Sequence, residues 1–459
     1  MSNIILITID ALRADHLSFM GYKRNTSPFL HKIAEEGTIF IHAFSNSCWT
    51  AAAFPSIFSS DYPVWGDKYG IENRIVIQEI LKDRGYQTAA FHSNPWLSRH
   101  YKYDKGFDYF EDYLDKNYLE NESTNSRARI KKHVGKFIQT YNCLYTIVNI
   151  SRRTKSLLLP NEYNVPYIDA LTLTNDVISW LKNQGKEPFF LWVHYMDPHS
   201  PQVYAPLPNK IKGPLNKGEL KKRLHRTKGS ERICVNCLVD LINRYDSRIR
   251  YVDYAIENLF VYLEKNNITN TSLLIITADH GEEFLDHGNF GHSPKLYDEL
   301  IHVPLIIKGP NIPKSKKIDT LVQHLDIAPT ILDMLDFSVS DSFFGKNLFE
   351  ETKRQGIISE VSNELPNKIE VALSKLKVAY RTKEWKYIYS ADGEDELYNI
   401  KEDPREERNL AFERRDKAEE YKNKIERHIY RIDAIYQKVD SEKKGIKDKI
   451  RKLKESDKL

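Results

Sequence analysis

The sequence predicts an α/β fold in which a central sheet of buried strands is flanked by helices on both faces. The first observation is the run NIILITI at Asn3–Ile9, which is almost wholly apolar and β-branched, as in a strand covered on both sides. The second is that helical segments alternate with such runs along most of the chain. The third is the length of 459 residues, which allows one large core domain and a smaller one.

The later segments continue this alternation. Ser27 and Pro28 predict the start of a helix that ends before Gly37, and the strand TIFIHAF follows. Further helices are predicted over 75–84, 167–183 and about 239–265, where apolar residues recur at helical spacing. The strands after these three helices are YQTAAFHS, PFFLWVH and SLLIITADHG, and HVPLIIKG comes soon afterwards.

The chain divides into a large domain at 1–337, a small α+β subdomain at 338–411 and a charged helical tail at 412–459. Residues 119–160 and 205–232 interrupt the large domain and are interpreted as insertions. In the subdomain, KVAYRTKEWKYIYS predicts a two-stranded hairpin. Sparse isoleucines in the tail predict an amphipathic helix that packs on its own chain or forms a homo-oligomer contact.

Composition excludes several classes of protein. The 68 Lys and Arg against 64 Asp and Glu leave a net charge of +4, which argues against a nucleic-acid partner. No apolar run reaches the roughly 18 residues of a membrane span, and no signal-peptide pattern precedes the first strand, so a cytoplasmic location is expected. Cys234 and Cys237 form a lone CxxC, interpreted as two ordinary thiols rather than a zinc or redox site.

Residues able to bind metal or substrate lie at the carboxyl ends of the predicted strands. These residues are Asp10, His194, Asp197, Asp279 and His280. Since open α/β sheets bind ligands at that edge, one shared site is predicted. Carboxylate and imidazole groups suit Zn, Mn, Mg or Ca, although an Asp–His pair could equally be a helix N-cap followed by a first-turn histidine.

A set of motifs makes the chain resemble the sulfatase-like branch of the alkaline phosphatase superfamily. In order, they are ILITIDALRADHL, SIFSSDYP, GFDYFEDY, HYMDPHSP, TADHGEEF, HGNFGHSPKLYDELIHVPLIIKGP, HLDIAPTILDML and ELYNIKEDPREERNLA. The resemblance spans about residues 3–411 and is specific through the combination of motifs. It implies a mixed central sheet and a small-molecule, glycan or lipid ester as substrate. It also implies one divalent metal ion (Ca, Mn, Mg or Zn), with Asp10, Thr50, Asp279 and His280 as ligands.

The stretch SNSCWTAAAFPSIFSS contains the position of the family's nucleophile. Sulfatases carry C/S-x-P-x-R six residues before a serine that corresponds to Ser56, which places Thr50 at the nucleophile and Cys48 out of register. Ala52 and Phe54 replace the proline and arginine of that signal, so formylglycine is not expected. The resemblance implies an unmodified threonine nucleophile, as in phosphodiesterase and phosphoglycerol-transferase relatives. A helix N-cap is the alternative role for Thr50.

Three further residues are expected to contact substrate. His199 matches the family histidine that contacts the ester oxygens, and His292 lies about where sulfatases have a catalytic lysine. Either imidazole could protonate the leaving alkoxide, or could serve as a structural residue at a strand end. Asn94 is expected to replace a basic substrate contact. Weaker candidates are Asp197, His194 and His287.

Together these features predict a metal-dependent hydrolase or transferase of phosphoric or sulfuric esters. Ala11 stands where sulfatases have a second aspartate, so fewer carboxylates are expected at the metal. A true sulfuric ester hydrolase of the arylsulfatase type and an inactive family member acting as a binding protein are the alternatives. An enzyme is favoured by the joint presence of five residues, although fold-level analogy alone would not establish activity. They are Asp10, Thr50, Asp279, His280 and His199.

Overall fold

The computed structural model describes residues 2–65, 70–114, 167–185, 187–200, 205, 211, 215–226, 234–350, 354–362 and 374–456. The insertion predicted at 119–160 lies outside the described residues. Of the insertion predicted at 205–232, the described part includes a helix over Lys217–Arg226. Within the described ranges, no helix is both long enough and apolar enough to cross a bilayer.

The described residues form nine α-helices. They are α1 (Pro28–Glu36), α2 (Thr50–Ser59), α3 (Ile77–Asp83), α4 (Ala170–Lys182), α5 (Lys217–Arg226), α6 (Val235–Lys265), α7 (Asp298–Ile301), α8 (Ile327–Met334) and α9 (Arg415–Ser456). Five of them, namely α1, α3, α4, α6 and α9, correspond to helices predicted from the sequence. The largest difference is at α6, which begins four residues before the predicted start.

The same part of the chain forms fifteen strands. They are β1 (Asn3–Ile9), β2 (Thr38–Phe44), β3 (Gln87–Phe91), β4 (Tyr109–Glu111), β5 (Phe189–Tyr195), β6 (Ser272–Ala278), β7 (Glu283–Phe284), β8 (Phe290–Gly291), β9 (His302–Val303), β10 (Leu305–Lys308), β11 (Lys316–Gln323), β12 (Ile357–Ser362), β13 (Leu376–Arg381), β14 (Trp385–Ser390) and β15 (Glu396–Asn399). Strands β7 and β8 form a separate two-stranded ribbon.

The central sheet is mixed and has the strand order β11-β2-β10-β6-β1-β5-β3-β4, with β9 paired to β2. Strand β1 is parallel to both neighbours, so that Ile7 is opposite Val193 on one side and Ile276 on the other. Strand β10 runs antiparallel to β2 and β6. Every residue of β5 and β6 is buried, as expected for apolar strands between two helix layers. The carboxyl ends of β1, β5 and β6 therefore meet at one edge.

A second, antiparallel sheet has the order β12-β13-β14-β15. The predicted hairpin is present as β13 and β14, and one further strand pairs with each of them. Helix α9 packs against this sheet through the buried side chains of Tyr421, Ile425 and Ile432. The first part of the charged tail thus packs on its own chain, while a homo-oligomer contact through this helix stays a prediction.

The structure corrects the interpretation of the CxxC pair. Cys234 and Cys237 form a disulfide at the start of α6 rather than two ordinary thiols. The first helical turn brings their Cα atoms to 5.1 Å, within the usual range for a disulfide. Cys48 is a buried free thiol.

Candidate active site

Asp10 lies directly after β1 and is fully buried. Its backbone N–H donates to the carbonyl oxygen of Tyr195 at 2.8 Å, which ties the end of β1 to the end of β5. The chain then turns sharply, because Ala11 adopts a left-handed conformation with φ 55°. The amide N–H of Ala11 donates to Asp279 Oδ1 at 3.2 Å. This turn therefore holds the two carboxylates beside each other.

Asp279 and His280 follow β6, as the sequence predicted. Asp279 Oδ1 also accepts from the amide N–H of His280 at 2.8 Å. The imidazole Nδ1 lies 2.8 Å from the carbonyl oxygen of Gly281, so this nitrogen donates and Nε2 keeps its lone pair. Burial and the nearby His292 lower the pKa of His280 to about 3. A neutral imidazole with a free Nε2 is the form that binds metal.

Thr50 is the first residue of α2 and is 4% exposed. Its Oγ1 lies 3.2 Å from His280 Nε2 and 3.3 Å from Asp10 Oδ2. Trp49 occupies the N-cap position of the helix and makes no side-chain cap bond. The N-cap alternative for Thr50 is therefore wrong, because its hydroxyl faces the carboxylates rather than the helix amides.

Asn94 is part of the same cluster. Its Nδ2 donates to Asp10 Oδ2 at 2.9 Å and lies 3.4 Å from Thr50 Oγ1. Its Oδ1 accepts from the amide N–H of Trp96 at 2.9 Å, which fixes the orientation of the amide group. Asn94 was expected to contact substrate, and in this structure it orients Asp10 and Thr50.

His194 supports Asp10 through a chain of hydrogen bonds. Trp192 Nε1 donates to Thr8 Oγ1 at 2.9 Å, and that hydroxyl lies 2.9 Å from His194 Nδ1. Because Thr8 accepts from the indole, we assign its proton to the bond with Nδ1. His194 Nε2–H then donates to Asp10 Oδ2 at 3.2 Å. His194, a weaker candidate in the sequence, thus orients the Asp10 carboxylate through this hydrogen bond.

The cluster has the donor set of a divalent cation site. Asp10 Oδ1 and Asp279 Oδ2 are buried and have no hydrogen-bond partner among the described residues. His280 Nε2 lies 3.8 Å and 3.5 Å from these two oxygens. A ring nitrogen of His194 lies within 4.8 Å of ligand atoms of Asp10 and Asp279, but its Nε2–H donates to Asp10, so His194 supports the site rather than supplying a ligand. Buried carboxylate oxygens without partners are costly, and a bound cation would satisfy them.

The pKa values of the two carboxyl groups diverge, which agrees with this interpretation. Burial and the charge of Asp10 raise the pKa of Asp279 well above its ordinary value. For Asp10, burial raises the pKa, but His199, His194 and His280 together lower it below the usual range. Without a cation, the negative charge of Asp10 opposes ionisation of Asp279.

The two predicted substrate histidines lie beside the cluster. The ring of His292 is 4.6 Å from that of His280 and 5.0 Å from that of His199. His199 Nδ1 lies 2.6 Å from the carbonyl oxygen of Ser200, so it donates there. His292 Nδ1 lies 3.9 Å from Glu282 Oε1, too far for a direct hydrogen bond. The rings of His199, His292 and His280 are thus in successive contact, and His280 also contacts the Thr50 hydroxyl.

Other candidates have structural partners. Asp197 pairs with Arg248 at 3.2 Å, and His287 Nδ1 lies 2.5 Å from Glu299 Oε1. Cys48 Sγ donates to a backbone carbonyl at 3.6 Å, and burial raises the pKa of this thiol to about 12, so it is a poor nucleophile.

Glu282 is not among the residues predicted from the sequence, although it follows the Asp279–His280 pair closely in the chain. It is 1% exposed, and neither of its carboxylate oxygens has a hydrogen-bond partner among the described residues. The signal was present in the sequence, since a second acidic residue so near the end of an apolar strand is unusual unless it serves the same site.

Solved structures share this fold. A phosphonate monoester hydrolase of Agrobacterium radiobacter superposes with a TM-score of 0.71 at 18% identity, covering 95% of this chain and 96% of that one. A protein solved in complex with its substrate D-glucosamine-2-N,6-O-disulfate superposes with a TM-score of 0.70 at 19% identity, covering 94% of this chain and 98% of that one.

Sequence comparisons agree with the structural ones. Arylsulfatase K of Gallus gallus is 21% identical over 89% of this chain and 79% of its own length. An arylsulfatase of Clostridium perfringens is 24% identical over 89% of this chain and 90% of its own length. The C-terminal family of N-sulphoglucosamine sulphohydrolase matches residues 286–434, and the Sulfatase family matches residues 2–337. The chain therefore belongs to the sulfatase family.

Proposed function

We propose that this protein is a metal-dependent hydrolase or transferase of anionic esters with Thr50 as its nucleophile. The observation that carries this proposal is the position of Thr50 Oγ1, 3.2 Å from His280 Nε2 and 3.3 Å from Asp10 Oδ2. The hydroxyl also lies in the first turn of α2, where backbone N–H groups and the helix dipole favour an anion. A phosphoryl or sulfuryl group could bind there within reach of the hydroxyl.

Each residue of the site has its own role in the proposed reaction. Asp10, Asp279 and His280 would hold a divalent cation, which when bound would stabilise the deprotonated hydroxyl and the charge of the ester. Asn94 and Asp10 orient the Thr50 hydroxyl for attack in line with the leaving group. The leaving alkoxide then takes a proton from His199 or His292. Water or an acceptor alcohol releases the group from Thr50 in a second displacement.

The absence of the formylglycine signal favours phosphorus esters. A formylglycine hydrate releases its sulfated intermediate by elimination, whereas a threonine releases its group only through attack at phosphorus or sulfur. Phosphodiester, phosphonate and phosphoglycerol-like substrates are therefore expected to react faster than sulfate esters. Sulfuric ester hydrolysis is the second candidate function, favoured by the relatives that are arylsulfatases.

Variants at Thr50 and Cys48 test the nucleophile. Thr50→Ala should lower turnover of phosphodiesters by about 10³-fold or more, because no covalent intermediate can form. Thr50→Ser should keep part of the activity, and Cys48→Ser should keep nearly all of it. Mass spectrometry of the quenched reaction should find phosphothreonine at position 50, and the resting protein should contain unmodified Thr50. Loss of activity in Cys48→Ser with retention in Thr50→Ala would overturn the assignment.

A panel of substrates tests the ester type. The substrates share one chromogenic leaving group and differ in the transferred group. They are bis(4-nitrophenyl) phosphate, 4-nitrophenyl phosphate and 4-nitrophenyl sulfate, and their rates of hydrolysis are compared. A faster sulfate rate would favour the second candidate function. No turnover of any ester by the metal-loaded protein would favour an inactive binding protein.

A further inference from the structure

Two tryptophans lie beside the reacting cluster and have no role in the mechanism above. Trp49 directly precedes Thr50, and Trp96 is two residues beyond Asn94. Their ring centroids are 5.8 Å apart, and the ring planes meet at 76°. Both side chains are half-buried. In this edge-to-face pair the two indole planes have different orientations.

Trp96 is coupled to the cluster through a short segment of chain. Its amide N–H donates to Asn94 Oδ1 at 2.9 Å, and Asn94 Nδ2 lies 3.4 Å from Thr50 Oγ1. The 3-10 turn Pro95–Leu97 starts from this bond. The same turn therefore positions both the amide at the nucleophile and the indole next to it.

The two indoles pack against small residues of α2. Ala51 and Ala52, in the first turn of α2, are buried, and both tryptophans pack against them. Tyr101 extends the aromatic surface, since its ring lies 5.5 Å from that of Trp96 at an angle of 32°. The rings of Trp49, Trp96 and Tyr101 are thus in successive contact next to the N-terminus of the helix that carries Thr50.

Building on the proposed function, we propose that Trp49 and Trp96 form a subsite for a ring in the leaving group of the ester. An aryl ring or the apolar face of a pyranose would stack on the Trp96 indole while the esterified group lies at Thr50. Aromatic faces bind both kinds of ring by the same contact, and partly solvated indoles are well suited to it. The subsite selects esters of cyclic alcohols over esters of small acyclic ones.

Ligand binding to the Thr50→Ala protein tests this subsite without requiring turnover. The probes are phenyl phosphate, glucose 6-phosphate and methyl phosphate, with dissociation constants measured by calorimetry on the metal-loaded protein. One or both ring-bearing probes should bind about three- to tenfold tighter than methyl phosphate. Trp96→Leu in the same background should abolish that difference while leaving methyl phosphate affinity unchanged. The methyl phosphate measurement reports whether Asn94 still orients the cluster.

Two matched variants complete the experiment. Trp96→Phe keeps an aromatic face and should retain part of the ring preference, which covers the case in which Trp96→Leu does not fold. Trp385→Leu, in the C-terminal sheet, should leave the preference intact. A ring preference that survives Trp96→Leu, or the lack of any preference in the parent protein, would overturn the subsite. Tight ring binding without turnover of any ester by the wild-type protein would instead contradict only the proposed function.

Discussion

Asp10 and Asp279 each keep one carboxylate oxygen buried and without a hydrogen-bond partner among the described residues. Burial raises the pKa of Asp279, and the negative charge of Asp10 raises it further, because two ionised carboxylates repel each other. Both groups are held by their neighbours rather than by each other, since Asn94 and His194 bind Asp10, and Ala11 binds Asp279. The arrangement is stable when a cation is present and costly when it is absent.

The variant Asp279→Asn separates these two effects. It should lower metal affinity by more than the roughly 10- to 100-fold lost when a supporting residue of a metal site is changed. In the metal-free protein near pH 7 it should raise the free energy of unfolding by about 1 kcal/mol, because Asp279 must take up a proton when it is buried beside Asp10 and asparagine need not. Metal content by plasma mass spectrometry and urea unfolding with a chelator measure the two quantities. Asp319→Asn, on the surface, is the control, and full metal content in Asp279→Asn would contradict the assignment.

Much of the site could be predicted because the carboxyl ends of neighbouring parallel strands meet. That rule identified Asp10, His194, Asp197, Asp279 and His280 from their positions at the ends of apolar runs, and all but Asp197 lie in the cluster. The part played by His194 could not be predicted in this way. It depends on a hydrogen-bond chain from Trp192 through Thr8, and those two residues are 184 positions apart. Local sequence carries no information about which ring nitrogen such a chain protonates.

At the level of the elements, the turn after β6 depends on Gly281. A Cβ atom at this position would lie 2.0 Å from the carbonyl oxygen of Glu299, where α7 crosses the turn. The amide N–H of Gly281 donates to the carbonyl oxygen of Leu300 at 2.8 Å, and its own carbonyl oxygen accepts from His280. One glycine therefore sets both the packing of α7 and the orientation of the His280 ring.

Gly281→Ala should consequently impair both stability and metal binding. The overpacking should cost about 1–3 kcal/mol in the free energy of unfolding, since the clash is with backbone and not with a flexible side chain. The His280 ring should rotate with its hydrogen-bond partner, which weakens metal binding. Gly218→Ala on α5 is the matched control and should be neutral or slightly stabilising, as alanine favours helix. An unchanged unfolding midpoint in Gly281→Ala would show that α7 can move away.

Elements with a long apolar run or a clear helical period could be predicted, whereas short ones could not. Strands β7, β8 and β9 have two residues each, and α7 has four, too few to show any period. Helix α6 begins earlier than predicted, because Cys234 serves as its N-cap through the sulfur atom, and cysteine is not an expected cap residue. Tertiary contacts, rather than local propensity, determine these segments.

At the level of the whole molecule, buried charges join the C-terminal sheet to the catalytic core. Lys386, which is fully buried, pairs with Asp298 at 2.8 Å and with Glu406 at 2.7 Å. His287 Nδ1 lies 2.5 Å from Glu299 Oε1, and its Nε2 lies 3.0 Å from the carbonyl oxygen of Glu406. Removing one member of such a network leaves an uncompensated charge. The sheet is therefore an integral part of the fold.

The titration of His287 gives this junction a pH dependence. Burial lowers its pKa, but the hydrogen bond and charge of Glu299 raise it overall to about 9 from an ordinary value of 6.5. Protonated His287 stabilises the folded state, and this stabilisation is complete below pH 6.5 and is lost as the pH rises through 9. Between pH 7.5 and 9, unfolding of the metal-free protein should become easier by about 2 kcal/mol.

Urea unfolding at several pH values in the presence of a chelator measures this change. His287→Gln should flatten the pH dependence above pH 7.5, because glutamine carries no titrating proton. The control variant His100→Gln changes an exposed histidine, and its free energy of unfolding should depend on pH as in the wild type. An equally steep slope in His287→Gln would assign the effect to another group.

The central position of β1 has a consequence for synthesis on the ribosome. This strand pairs with residues 189–195 on one side and 272–278 on the other, and both segments are translated after it. At about 5–20 residues per second, the second partner follows roughly 15–55 s after the first strand has been made. Both edges of this apolar, β-branched segment are unpaired until β5 has been made, and one edge stays unpaired until β6 follows; such edges recruit other chains. The nascent chain should therefore depend on chaperone protection until β6 has emerged.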